Sequence, residues 1–410
     1  MTVSLGLTDA DISSAQITQY LDKLKKLSLS QDDKLRSNAK SVGFREAPKK
    51  TPDAVSQLQQ QLTDTGFFPG GVVDGICGFR TQSAIRLFQE YIRSVDGKAC
   101  LPDGIAGPIT KGYLHDWIQK SRKAYWDELV DNWRKDDSPP SEYDDWLGYL
   151  QELKQFRQQQ PGRILSAVNE FSGSSDTKPV AQWTHSKEQV HLLAVRCKPD
   201  DENRRFDDIF ILLIKGLVFK FQGSSDPGYT KHPQGAPFLV PGQHDYRFGL
   251  HRNSYPALRP MHFAQHGVLT VRSRNDFRLT EEDLDNGLEV NGSINIHWGG
   301  KGVGRAVNRW SEGCQVITGS GYLDSNGEIR SCAEYVAINN GEVNREGSRK
   351  TRGAYTVLSD LLVAFTSDLA EPGLVKFTLI PEQDLALNEQ ISNLVSTSRT
   401  AARELIRRLA

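Results

Sequence analysis

The sequence predicts an α+β chain of several domains: a small three-helix domain, then a helical connector, then a β-rich domain. Three observations predict it. The chain has 410 residues, more than one ordinary core organises. From Asp53 to Leu114 apolar residues recur at helical spacing, punctuated by two Asp-Gly turns. After Gln182 the period shortens to that of strands.

Bulk composition narrows the function classes. With 50 Lys+Arg against 51 Asp+Glu, no overall positive field exists to drive nucleic-acid binding. Five cysteines in so long a chain, Cys77, Cys100, Cys197, Cys314 and Cys332, do not make a disulfide framework, and without a CxxC pair no thiolate zinc site is expected. Their odd number leaves at least one thiol unpaired within the chain. The N-terminus, Met1-Thr2-Val3-Ser4-Leu5-Gly6-Leu7-Thr8-Asp9, shows no basic region followed by an apolar stretch, so no secretory signal is expected. The most apolar run, Ile209 to Phe221, is broken by Lys215 and Lys220 and is too short to span a bilayer. Membrane insertion is not expected.

Residues 1–51 read as a polar helical segment, with Leu21, Leu24 and Leu27 three apart, ending in the breakers around Pro48 and Pro52. In residues 52–118, Val55, Leu58 and Leu62 mark one helix, which Gly66 closes. Asp74-Gly75-Ile76-Cys77-Gly78 then precedes Thr81 and a second amphipathic helix through Phe88. Asp103-Gly104-Ile105-Ala106-Gly107 precedes Thr110 and a third. Each Asp-Gly supplies a tight turn, and each threonine is expected to cap the following helix. Two such turns in order, with Leu58-Gln59, Gly66-Phe67, Phe88-Gln89 and Leu114, resemble the peptidoglycan-binding-domain family. The resemblance implies a three-helix module whose glycines and aspartates shape a groove, with glycan strands and stem peptides as partner.

Residues 119–182 read as a helical connector carrying Trp126, Trp133 and Trp146. Residues 183–382 read as an antiparallel β-domain, with strand-like runs Val190–Val195, Ile209–Phe221, Gly267–Val271 and Val375–Ile380. Residues 383–410 read as a helical tail.

The chemistry concentrates in Ile294-Asn295-Ile296-His297-Trp298-Gly299-Gly300 and Trp310-Ser311-Glu312-Gly313-Cys314-Gln315-Val316. A cysteine nucleophile needs an imidazole partner to raise its thiolate fraction, and backbone N–H groups to hold the oxyanion formed on attack. Gly313 permits close approach of substrate to the main chain, and Ser311 is placed to brace the turn. These residues resemble the L,D-transpeptidase (YkuD-type) family. The resemblance implies a β-rich catalytic domain over residues 183–382, with Cys314 as nucleophile, His297 as its base, and Ser311 and Gly313 as supporting motif residues. Phe221-Gln222-Gly223-Ser224-Ser225-Asp226-Pro227 and Val240-Pro241-Gly242 agree with it. Glu312 stands where the family has a second histidine, and Gln315-Val316 replaces its basic ending, so carboxylate recognition falls to Arg305 or Arg309. Trp298 and Trp310 either wall the cleft or pack in the core.

His262 and His266 stand four apart, but the segment lacks the glutamate of HExxH, so no metal is expected. His244 and His251 lie among glycines and are expected at the surface. No cofactor is implied. Three functions stay open: a cysteine transpeptidase of the cell wall, a lytic carboxypeptidase or endopeptidase delivered by a phage or contractile secretion apparatus, and a wall-binding protein without catalysis. Delivery by such an apparatus would reconcile a cell-wall substrate with the missing signal.

Overall fold

The computed structural model describes residues 2–28, 50–136, 139–197, 207–251, 255–274, 278–300, 307–333, 351–366 and 374–409. They form two compact units that do not follow the linear segments. One comprises Met1–Lys135, Phe248–Pro256 and Arg330–Gly373; the other comprises Asp136–Arg247, Ala257–Ile329 and Leu374–Ala410. The helices of the connector are thereby divided, with Trp126–Lys135 in the first unit and Glu142–Gln159 and Gly162–Glu170 in the second.

The first unit is built on α1 (Ala54–Asp64), α2 (Phe79–Ser94) and α3 (Pro108–Gln119). Gly66, at φ +84°, ends α1 as expected, and the Phe67 amide turns back to the Leu62 carbonyl at 2.8 Å. The threonines do not cap. Gly78 and Gly107 occupy the cap positions of α2 and α3, with no side-chain cap bond. Thr81 and Thr110 lie one turn further in, and their hydroxyls accept from Gln59 Nε2 and Gln89 Nε2, each at 2.9 Å. Each glutamine also reaches its Asp-Gly turn. Gln59 Nε2 lies 2.7 Å from Asp74 Oδ1 and Gln89 Nε2 lies 3.0 Å from Asp103 Oδ1. Their Oε1 atoms accept from the Gly75 and Gly104 amides. The repeat is therefore a glutamine-tied turn used twice, buried and with its polar atoms satisfied.

The N-terminal stretch belongs to this unit as well. The Asp9 carboxylate accepts from the Val55 and Ser56 amides, both at 2.8 Å, and so caps α1 from 46 residues away. Val3 bridges to Ala106, and Thr8 to Ile76, stitching the segment to both turns. Of the segment 1–51 expected to be helical, Ser14–Ser28 form a helix, whereas Thr8–Asp9 pair in parallel with Lys50–Thr51 as a short two-stranded ladder; residues 29–49 lie outside the described residues. Phe67, Phe88, Tyr91, Trp117 and Trp126 pack mostly edge to face at 5.2–5.6 Å between ring centres. Helix Ala354–Phe365 is held to α2 by a buried two-point pair: Arg86 Nε donates to Asp360 Oδ2 at 2.8 Å and Nη2 to Oδ1 at 2.5 Å.

The second unit centres on a closed sheet. Its strands are β1 (Val190–Arg196), β2 (Asp208–Ile214), β3 (Leu217–Ser224), β4 (Ala236–Leu239), β5 (Gly242–His251), β6 (Tyr255–Pro260), β7 (Val268–Ser273), β8 (Leu288–Asn291), β9 (Ile296–Trp298), β10 (Gln315–Leu323), β11 (Ile329–Ser331) and β12 (Val375–Pro381). The order β9-β6-β5-β12-β1-β2-β3-β10 returns to β9, which makes an eight-stranded barrel with β11 as an extra strand on β10. A three-stranded sheet, β8-β7-β4, accompanies it. The long apolar run from Ile209 folds into two strands because Lys215 and Gly216 take φ +49° and +80°, a two-residue hairpin turn. The barrel is not purely antiparallel: β12 pairs parallel with β1, and β9 with β10. The C-terminal residues form helix Glu389–Leu409 as expected. Among the described residues, no helix is long and apolar enough to cross a membrane.

His244 corrects another expectation. It lies on β5 and is fully buried, with Nδ1 2.9 Å from Thr177 Oγ1 and Nε2 3.0 Å from the Val240 carbonyl. His251 ends the same strand and is partly exposed.

Candidate functional site

The parallel pairing of β9 with β10 organises the site. Ile296 aligns with Gln315 and His297 with Val316, so Cys314, immediately before β10, aligns with Asn295. Side chains alternate along a strand, which puts Asn295, His297 and Cys314 on one face. Ile296 and Gln315 point the other way and are wholly buried. The strands form here because Ile294-Asn295-Ile296 and Gln315-Val316-Ile317 are extended segments whose ladder continues through the Gln315 amide to the Asn295 carbonyl at 2.9 Å.

Cys314 is half-buried, and its Sγ accepts from the Asn295 amide at 3.4 Å. The thiol also reaches the Ser293 carbonyl at 3.4 Å. His297 is buried, and its Nδ1 lies 2.8 Å from the Trp298 carbonyl. A carbonyl only accepts, so Nδ1 carries the proton and Nε2 is the basic nitrogen. Ser311 braces the turn as expected: its hydroxyl donates to the Cys314 carbonyl at 2.6 Å and accepts from the Gly313 amide at 3.1 Å. Its own carbonyl accepts from the Gly228 and Tyr229 amides, which ties the cysteine turn to the loop after β3. Gly313 has φ +141°, and a Cβ there would sit 2.8 Å from Pro237, so glycine is required. The Gly313 amide is thereby committed to the Ser311 hydroxyl.

The flanking residues are less concentrated. Trp298 and Trp310 meet edge to face at 5.0 Å, and Trp310 is 45% exposed, so this pair is a surface wall and not core. Gly300 fits beneath the Trp310 ring. Arg309 is exposed and its guanidinium lies 5.4 Å over the Tyr229 ring. Arg305 lies outside the described residues. The four other cysteines are buried. Burial pushes the thiols of Cys77, Cys197 and Cys332 well up and that of Cys100 up to about 11, as inert thiols require.

Two groupings escaped the sequence. His266 follows His262 by one helical turn, and both rings converge on buried Asp176, with ligand-type atoms within 4.8 Å of one another. Asp176 Oδ1 lies 2.7 Å from His262 Nδ1, and Oδ2 accepts the His262 amide at 2.8 Å. The spacing of the two histidines was legible, but the third member comes from a remote loop. The second grouping, Arg247 and Arg259, stands on β5 and β6, in a segment whose alternation of His244, Tyr246 and Phe248 with Asp245 and Arg247 was the available signal.

Residues 51–114 match the family model of the peptidoglycan binding domain. No curated protein and no solved structure matches the chain. The family match spans α1, both glutamine-tied turns and α2, ends within α3, and does not reach the barrel. The chain thus carries, in its first compact unit, a region that matches a peptidoglycan-binding domain, which supports association with the cell wall.

Proposed function

We propose that the barrel unit is a cysteine enzyme of L,D-transpeptidase type acting on the stem peptide of peptidoglycan. The observation that carries this reading is the shared face of His297 and Cys314 on neighbouring parallel strands, with the imidazole tautomer fixed by Trp298. In the proposed reaction His297 Nε2 takes the Cys314 thiol proton, and the thiolate attacks a stem-peptide carbonyl carbon. The tetrahedral adduct collapses with breakage of the C–N bond, and His297 returns the proton to the leaving amine. The resulting thioester passes its acyl group to an acceptor amine, giving a cross-link, or to water, giving a trimmed stem; either step regenerates the thiol. The peptidoglycan-binding domain supports the substrate class, because it raises the local concentration of wall at the enzyme.

The test is incubation of purified sacculi with the protein and with His297→Gln, followed by separation of the muropeptides. New cross-links or trimmed stems from the native protein, slowed roughly 100-fold or more in the variant, are expected. Unchanged muropeptides with folded native protein would leave wall binding as the function.

A further inference from the structure

The Cys314 row extends across two more strands. Leu258 on β6 pairs with Ile296, so Arg259 stands opposite Asn295. The Met261 amide donates to the Asp245 carbonyl at 3.0 Å, and two residues further along this antiparallel pair Arg247 stands opposite Arg259. Arg247, Arg259, Asn295 and Cys314 therefore form one cross-strand row on adjacent strands and share a face. Their neighbours on the other face, Tyr246, Leu258, Ile296 and Gln315, are all buried.

This pair of arginines is physically anomalous. Like charges directly opposite on paired strands repel and destabilise. Both side chains are half-buried, and both Nε atoms are buried without a hydrogen-bond partner. Among the described residues neither guanidinium makes an ion pair. Asp176 is the carboxylate that acts on Arg247, but its oxygens are taken by His262. Arg259 stacks at 3.2 Å over the Phe263 ring, which orients it without neutralising it. Burial, then Arg247, pull the Arg259 pKa down to about 10, and the charge of Cys314 opposes them. Two partly desolvated cations held together cost stability, and the arrangement makes sense where an anion completes it.

We propose that Arg247 and Arg259 form the carboxylate-binding subsite of this active site, selecting a peptide acyl donor that carries a free carboxylate near the carbonyl Cys314 attacks. The inference rests on the cysteine reading above. Arg259 lies two strand spacings from Cys314, about 10 Å at the backbone, a gap that the side chains narrow. The pair takes over the role that the sequence assigned to Arg305 or Arg309.

The test is built to fail separately from the catalytic reading. Iodoacetate and iodoacetamide are similar in size and differ in charge, and each alkylates a thiolate with loss of iodide. The ratio of their rates at Cys314, relative to the same ratio for free cysteine, is expected to be raised at least tenfold toward iodoacetate. Arg247→Gln, Arg259→Gln should abolish that bias, and Arg259→Lys should keep part of it. Loss of thiolate character slows both reagents equally and leaves the ratio unchanged. In a second arm, calorimetry on Cys314→Ser protein compares a stem tetrapeptide with its fully amidated form. Binding at least tenfold tighter for the free acid is expected, with the difference lost in the arginine double variant. The single variants are expected to melt no lower than the native protein, since each removes a repulsion. A Cys314 that shows the ratio of free cysteine, or equal binding of acid and amide, overturns the proposal even if the enzyme is active.

Discussion

The Ser311 hydroxyl donates to the Cys314 carbonyl at 2.6 Å while accepting from the Gly313 amide at 3.1 Å. One buried side chain thus closes the turn that presents the thiol. Ser311→Ala removes both bonds and leaves the Gly313 amide without its acceptor, a cost of about 1–3 kcal/mol in the turn. On the proposed mechanism the expected outcome is a fold retained and an acylation rate roughly tenfold to a hundredfold lower, because the Cys314 thiol is displaced from its attack position. Single-turnover acylation kinetics check it; an unchanged rate would make Ser311 a purely structural residue.

Cys314 is the half-buried thiol among five, and the other four are buried with raised pKa values. Iodoacetamide at neutral pH should label Cys314 faster than the others by on the order of 100-fold. Peptide mapping by mass spectrometry reads the order of labelling. Comparable rates at Cys77 or Cys197 would mean that the barrel or the module opens readily.

His244 predicts a pH dependence. Burial, partly offset by its bond to the Val240 carbonyl, pulls its pKa down to about 3, and His185 is likewise pulled down to about 3. The unfolded chain binds these protons near pH 6.5 and the folded chain does not. Stability from each is therefore present above pH 6.5 and is lost as pH falls toward 3. Each histidine is expected to remove about 2 kcal/mol between pH 7 and pH 5. Asp226 acts in the opposite sense, since burial raises its pKa to about 7 and its contribution fades as pH rises from the unfolded carboxylate value through 7. Urea titrations at pH 5 and pH 7 on native protein and on His244→Gln separate the terms: the variant should lose less stability on acidification. An equal loss in both proteins contradicts the assignment.

Asp176, His262 and His266 supply a direct contest between two chemistries. Asp176 is already satisfied by His262, so the cysteine account expects activity on stem peptides to survive chelation with a loss of less than about twofold. Activity abolished by chelator and restored by zinc would make this cluster the working centre and Cys314 a bystander.

The peptidoglycan-binding module was legible because its signals are local: helical spacing, two Asp-Gly turns and a glycine stop. Even there Thr81 and Thr110 do not cap as their positions suggest, because their partners, Gln59 and Gln89, lie on the preceding helix. His297 and Cys314 were legible as types in a pattern. Their shared face was not, since it depends on the parallel register of β9 with β10. The Arg247–Arg259 pair was hidden for the same reason, since it depends on the antiparallel register of β5 with β6. Asp9 capping a helix 46 residues away is a tertiary contact that no local pattern announces.

The central claim is a covalent acyl group on Cys314, and intact-protein mass spectrometry tests it most directly. Native protein mixed briefly with a stem tetrapeptide and quenched in acid should gain the mass of the acyl fragment, with peptide mapping placing the adduct on Cys314. The adduct should accumulate on His297→Gln only at a rate lower by orders of magnitude, and not at all on Cys314→Ala. Stem peptide cleaved by Cys314→Ala at the native rate, with no adduct on the native protein, would contradict the account.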